Sequence, residues 1–96
     1  MVDQRLHTRI KCRSHCMLVE PIGIINRALL EDISLGGALI IMNDEVPNSL
    51  NVGDKCDLLV CNDLYTYSAK YFCKIVRRDH RNIGVNFQTI SYPPSV

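Results

Sequence analysis

The sequence predicts an all-β fold of about six short strands forming an antiparallel barrel or sandwich. Three observations predict it. Apolar residues recur at period two in one segment after another, as strands with one buried face require. Clusters of Gly, Pro, Asn and Asp separate those segments at hairpin-like spacing. The 96 residues allow one domain with one modest core, and 47% hydrophobic against 22% charged residues is ordinary soluble usage, which excludes a disordered or fibrous chain.

From Ile10 to Leu18 the even positions read Ile10, Cys12, Ser14, Cys16, Leu18, and Lys11, Arg13 and His15 take the odd ones, so the first strand has a basic outer face. Pro21 and Gly23 supply a turn. Ile24 to Ile33 follows with a less regular pattern; Asn26 to Glu31 also fits a pair of helical turns, and a strand is expected. Ala38-Leu39-Ile40-Ile41-Met42 is too short for a helix and unbroken, which predicts a strand buried on both faces at the centre of the core. Asn43 to Asp54 carries Pro47, Asn48, Ser49, Asn51 and Gly53 and reads as a loop. Cys56, Leu58 and Val60 then alternate, Asn62-Asp63 turns, and Tyr65, Tyr67, Ala69, Tyr71, Cys73 and Ile75 form the longest clean alternation. After a turn at Asp79 to Asn82, Ile83, Val85 and Phe87 share one face and Gly84, Asn86 and Gln88 the other. Ser91 to Val96 contains two prolines and is expected to be a loose tail.

Several function classes are disfavoured by the same residues. Eleven Lys+Arg against ten Asp+Glu give a formal charge of +1, which argues against a protein held to nucleic acid by global charge. No apolar run approaches eighteen residues and the polar N-terminus has no signal-like core, so neither a membrane span nor a signal peptide is predicted and a cytoplasmic location is expected. Five cysteines make an odd set, read as reduced thiols. Cys12, His15 and Cys16 lack a second ligand pair at zinc-like spacing, so no metal is expected. Tyr65, Tyr67 and Tyr71 on one strand face suit core and rim packing better than base stacking. No nucleophile with a base, carboxylate pair or phosphate-binding loop appears, and the chain is not expected to be an enzyme. Lys74, Arg77, Arg78 and Arg81 cluster around the last hairpin, as a solvated face or an extension of a site.

Two short motifs remain. Arg5 and Arg9 lie four apart before the first strand; on an extended segment they share a face, and guanidinium forks suit phosphate oxygens and the O6/N7 edge of guanine. Asp32-Ile33-Ser34-Leu35-Gly36-Gly37 reads as a turn whose side chains bond local N–H groups and whose glycines permit positive φ, a cradle for an anion or a base edge. Each alone describes an ordinary basic terminus or a tight turn. Together and in this order, RxxxR followed by (D/N)xSxxG in an all-β chain of this length resembles the PilZ domain family. Gly36-Gly37-Ala38-Leu39-Ile40, Asn51-Val52-Gly53-Asp54, Ile75-Val76-Arg77 and Ile83-Gly84-Val85-Asn86-Phe87 extend the resemblance over roughly residues 4 to 90.

The resemblance implies a six-stranded antiparallel β-barrel over residues 10–90; residues 1–9, ahead of the first strand, are expected to form a flexible N-terminal arm, and residues 91–96 depart from the family's usual C-terminal helix, with little or no helix expected there. It implies a receptor for the bacterial second messenger cyclic di-GMP that uses no cofactor. By matching position, Arg5 and Arg9 grip guanine edges and phosphates, Asp32 accepts guanine N–H groups, Ser34 offers a hydroxyl and Gly37 permits close approach. His7, inside the first motif, and Gly36, inside the second, stand as secondary contacts. Ligand is expected to order the arm, which relays the signal to a protein partner the sequence does not identify. Two competing readings are a PilZ-fold adaptor that works by protein contact without nucleotide, and a small barrel that binds single-stranded nucleic acid; absence of an aromatic platform disfavours the latter.

Overall fold

A computed structural model describes residues 10–61 and 67–88. Six strands follow in chain order: β1 Ile10–Val19, β2 Ile25–Ile33, β3 Gly37–Met42, β4 Lys55–Cys61, β5 Tyr67–Arg78 and β6 Asn82–Phe87. Every pairing is antiparallel and the sheet closes in the order β1-β2-β3-β6-β5-β4, so none of these six described strands lies at an open edge of the sheet. The ambiguous segment before Ile33 is a strand, since its apolar residues find a partner on each side in β1 and β3.

The barrel interior is filled by alternate residues of each strand. Cys16 and Leu18, Ala28 and Leu30, Ala38, Ile40 and Met42, Cys56 and Leu58, Cys73 and Ile75, Ile83 and Val85 are all buried. The alternations read in β1, β4 and β6, and in β5 at Cys73 and Ile75, therefore have the expected phase from Cys16 onward, although Ile10, assigned to the buried face, is 62% exposed at the end of its strand, and Tyr65 and the Tyr67 side chain lie outside the described residues. The expectation that β3 is buried on both faces is corrected: Leu39 and Ile41 are only half-buried. A single closed sheet has no second layer, so the outer face of even its most apolar strand meets solvent.

The loop between β3 and β4 completes the core. It turns Val46 and Leu50 inward to close one end of the barrel. Arg78, paired with Ile83 and so on the inner phase of β5, donates from Nε to Leu50 O at 2.7 Å and from Nη2 to Val46 O at 3.0 Å and Pro47 O at 3.2 Å. Arg81 donates to the carbonyls of Met42 and Asn43 at the loop's start. The buried Glu20 carboxylate accepts from Asn26 Nδ2 at 2.9 Å and Ser49 Oγ at 3.2 Å, tying the β1–β2 turn to the same loop. Gly23, at φ 97°, makes that turn, a conformation L side chains rarely adopt.

Candidate functional site

Bulges decide which side chains reach the outer face. In β2 and β3, Leu30 opposes Ile40 while Asp32 opposes Leu39, leaving Glu31 as the extra residue. In β5 and β6, Ile75 opposes Val85 while Arg77 opposes Gly84, leaving Val76 over. Each insertion reverses the strand's phase, so Asp32 leaves the inner face followed by Ala28 and Leu30, and Arg77 leaves the one followed by Cys73 and Ile75. The registers then join into one row across five strands: Lys11, Asp32, Leu39, Gly84, Arg77. Directly opposed residues share a face, and this row lies on the outside of the barrel.

An open cavity of about 470 Å³ lies along that row, lined by Asp32, Ala38, Leu39, Val76, Arg77, Gly84, Val85 and Asn86. Its size suits a nucleotide-scale ligand. Its floor is Leu39 and the bare backbone of Gly84, with a carboxylate at one end and a guanidinium at the other. Asp32 is only 5% exposed, and Lys11 Nζ stands 3.9 Å from its Oδ2 and 3.6 Å from Glu31 Oε2. A Cβ at Gly84 would sit 3.3 Å from Arg77 Cβ and 3.8 Å from its Nε, so the Arg77 side chain folds back over the glycine.

The second motif is divided between strands and turn. Asp32 and Ile33 finish β2, Ser34 to Gly36 turn, and Gly37 opens β3. Ser34 N and Oγ both donate to Gly37 O, at 2.9 and 3.4 Å, and Ser34 Oγ accepts from Gly36 N at 3.2 Å. Gly36 O accepts from Phe87 N at 2.9 Å, which ties the turn to β6. The expected positive φ is not found at Gly37; a Cβ there would collide with Val85 O, so the glycine is required by the close approach of β3 and β6. Arg5, His7 and Arg9 of the first motif lie outside the described residues.

Arg77, Gly84 and Asn86 line the cavity without belonging to either motif. Only the β3–β6 closure brings them beside Asp32. Within the second basic cluster the four side chains divide. Arg78 and Arg81 are committed to loop carbonyls, whereas Lys74 and Arg77 are exposed on the outer surface.

Other chemistry-bearing groups lie in the core. Cys16, Cys56 and Cys73 are buried free thiols, and burial pushes Cys16 and Cys73 up to about 12 and Cys56 up to about 11. They are poor nucleophiles. Among the described residues no three His, Cys, Asp or Glu side chains are placed to hold a metal. Tyr71 stacks on Phe87 with ring centroids 4.4 Å apart, packed against the core.

The family model for the PilZ domain matches residues 3–93, taking in both motifs and all six strands. The chain belongs to the PilZ domain family. The PilZ barrel appears in solved structures of low sequence identity. The chain is similar to the PilZ domain of YcgR from Escherichia coli with c-di-GMP, at TM-score 0.78 and 16% identity over 93% of this chain and 81% of that one. It is also similar to the inhibitor of motility MotI/DgrA of Bacillus subtilis, at 0.71 and 15% over 94% of this chain, and to YcgR in complex with c-di-GMP, at 0.67 and 18% over 94%. The chain spans 45% and 40% of those two longer chains. No curated protein matches it.

Proposed function

We propose that this PilZ domain binds cyclic di-GMP in the outer cavity between Asp32 and Arg77, with Arg5 and Arg9 completing the grip. The observation that carries the reading is that the motif residue Asp32 lines a nucleotide-sized cavity with a guanidinium at its far end. The chemistry is matched: a carboxylate accepts guanine N1–H and N2–H groups, and guanidinium forks serve guanine O6/N7 and phosphate oxygens. Arg9 immediately precedes Ile10 in sequence, and Lys11 lies opposite Asp32, which supports a site shared by the two motifs. His7 and Gly36 remain secondary contacts in this reading, Ser34 and Gly37 shape the site, and no catalytic step or cofactor is assigned. The domain then acts in the bacterial cytoplasm, where ordering of residues 1–9 on binding relays the signal to a protein effector.

Calorimetric titration with cyclic di-GMP, GTP and a short oligonucleotide tests the binding. Each bidentate arginine–guanine pair contributes on the order of 1–3 kcal/mol, so Arg5→Ala and Arg9→Ala each weaken cyclic di-GMP binding about tenfold or more. Wild-type affinity no better than for GTP, or full affinity in both variants, defeats the reading. Amide exchange of residues 4–9 tests the relay, which fails if protection is equal with and without ligand.

One observation favours a second reading, an adaptor that binds no nucleotide. Ser34 and Gly37 are both explained by the fold alone, through the turn hydrogen bonds and the contact with Val85 O. Their presence therefore does not require a ligand. The same titration separates the two readings.

A further inference from the structure

We infer that Arg77 is a further ligand-binding residue that grips the dinucleotide at the end of the cavity opposite to Asp32. The inference rests on the cyclic di-GMP reading above. Its basis is the cross-strand row. Asp32 and Arg77 are separated by three strand intervals through Leu39 and Gly84, about 14 Å at ordinary strand spacing. The folding of Arg77 over Gly84 returns its guanidinium by roughly one interval, leaving about 10 Å between the two polar ends. That gap admits a guanine with a hydrogen bond at each end, or a guanine at one end and a phosphate at the other, so Asp32 and Arg77 can engage one bound ligand from opposite sides. A ligand with two guanines and two phosphates can meet both ends at once.

Three details fit this role. Arg77 is exposed, and none of the ion pairs or hydrogen bonds among the described residues engages its guanidinium, whereas its neighbour Arg78 is fully committed to the loop. Gly84 leaves the floor between the ends bare, where any larger residue would meet the Arg77 side chain. Asn86, beyond Gly84 on β6, offers an amide donor and acceptor at the same side of the cavity. The Val76 bulge is the device that turns Arg77 outward.

The test uses the full chain and its Arg77→Ala variant, labelled with 15N and titrated with cyclic di-GMP. The expected result is a tenfold or greater loss of affinity with an unchanged melting temperature. At saturating ligand the amide shifts of Asp32 and Ser34 persist in the variant while those of Gly84 and Asn86 are lost. Affinity within twofold of wild type, or loss of shifts at both ends together, overturns the two-ended grip while leaving cyclic di-GMP binding intact. If wild type itself does not bind, the reading beneath the inference fails, and the inference with it.

Discussion

Arg77 and Arg78 are consecutive, chemically identical and predicted to respond oppositely to truncation. Arg78→Ala removes three charge-assisted hydrogen bonds to Leu50, Val46 and Pro47 carbonyls and uncovers the end of the barrel that Val46 and Leu50 close. Hydrogen bonds to a charged group contribute about 1.5–3 kcal/mol each, but three from one guanidinium are not additive and water replaces some of them. A loss of about 3 kcal/mol is expected, which for a domain of this size lowers the melting temperature by at least about 12 °C. Arg77→Ala removes an exposed side chain that makes no hydrogen bond or close ion pair among the described residues, only a surface attraction to the exposed Asp79, and is expected to change stability by less than about 0.5 kcal/mol. Urea unfolding of both variants, followed by far-UV circular dichroism, measures the difference. Equal midpoints, or a loss in Arg78→Ala below about 1 kcal/mol, would refute the assignment of Arg78 to the loop.

Two further perturbations probe the interior. Gly37→Ala places a methyl group against Val85 O and should cost about 1–3 kcal/mol as an overpacked contact; thermal unfolding with an unchanged midpoint would show that β3 and β6 yield without strain. The buried thiols set an alkaline limit. Their folded-state pKa values are raised by burial from the ordinary 9.0, so the unfolded chain releases these protons first. The stability they contribute is complete below pH 9 and is lost as pH rises toward 11–12, by roughly 1 kcal/mol per thiol at pH 10. Urea midpoints at pH 8 and pH 10 check the sign, and a midpoint that does not fall contradicts it.

Where period two held, the sequence was readable. Cys73 and Ile75, Ile83 and Val85 point inward as their alternation requires, because a strand with one buried face has no other stable phase. The outer face of β3 was misread, since Leu39 and Ile41 are apolar without being buried in a second layer. The loop's contribution to the core was not legible, because Val46 and Leu50 stand in a segment whose proline, asparagines and glycine carry only the turn signal. The bulges at Glu31 and Val76 were equally silent: one extra residue leaves composition and local pattern almost unchanged while reversing the direction of every side chain beyond it.

The candidate site divides along the same line. Asp32 was legible through its motif. Ser34 and Gly37 were legible as motif positions, but their work in the fold, bonding the turn and admitting β6, depends on strands distant in sequence. Arg77, Gly84 and Asn86 carried no spacing that relates them to Asp32, because the β3–β6 pairing that joins them is a closure between non-consecutive strands. Arg77 was visible only as one of four clustered cations, and the hydrogen bonds of Arg78 and Arg81 are what separate it from them.

Amide chemical-shift mapping of the 15N-labelled chain with cyclic di-GMP tests the location of the site most directly. Saturable shifts are predicted at Asp32, Leu39, Arg77, Gly84 and Asn86, along the row that crosses the outer face from β2 to β5. No shift at saturating concentration, or shifts confined to the other large groove at Val19, Asp57, Phe72 and Gln88, would contradict it.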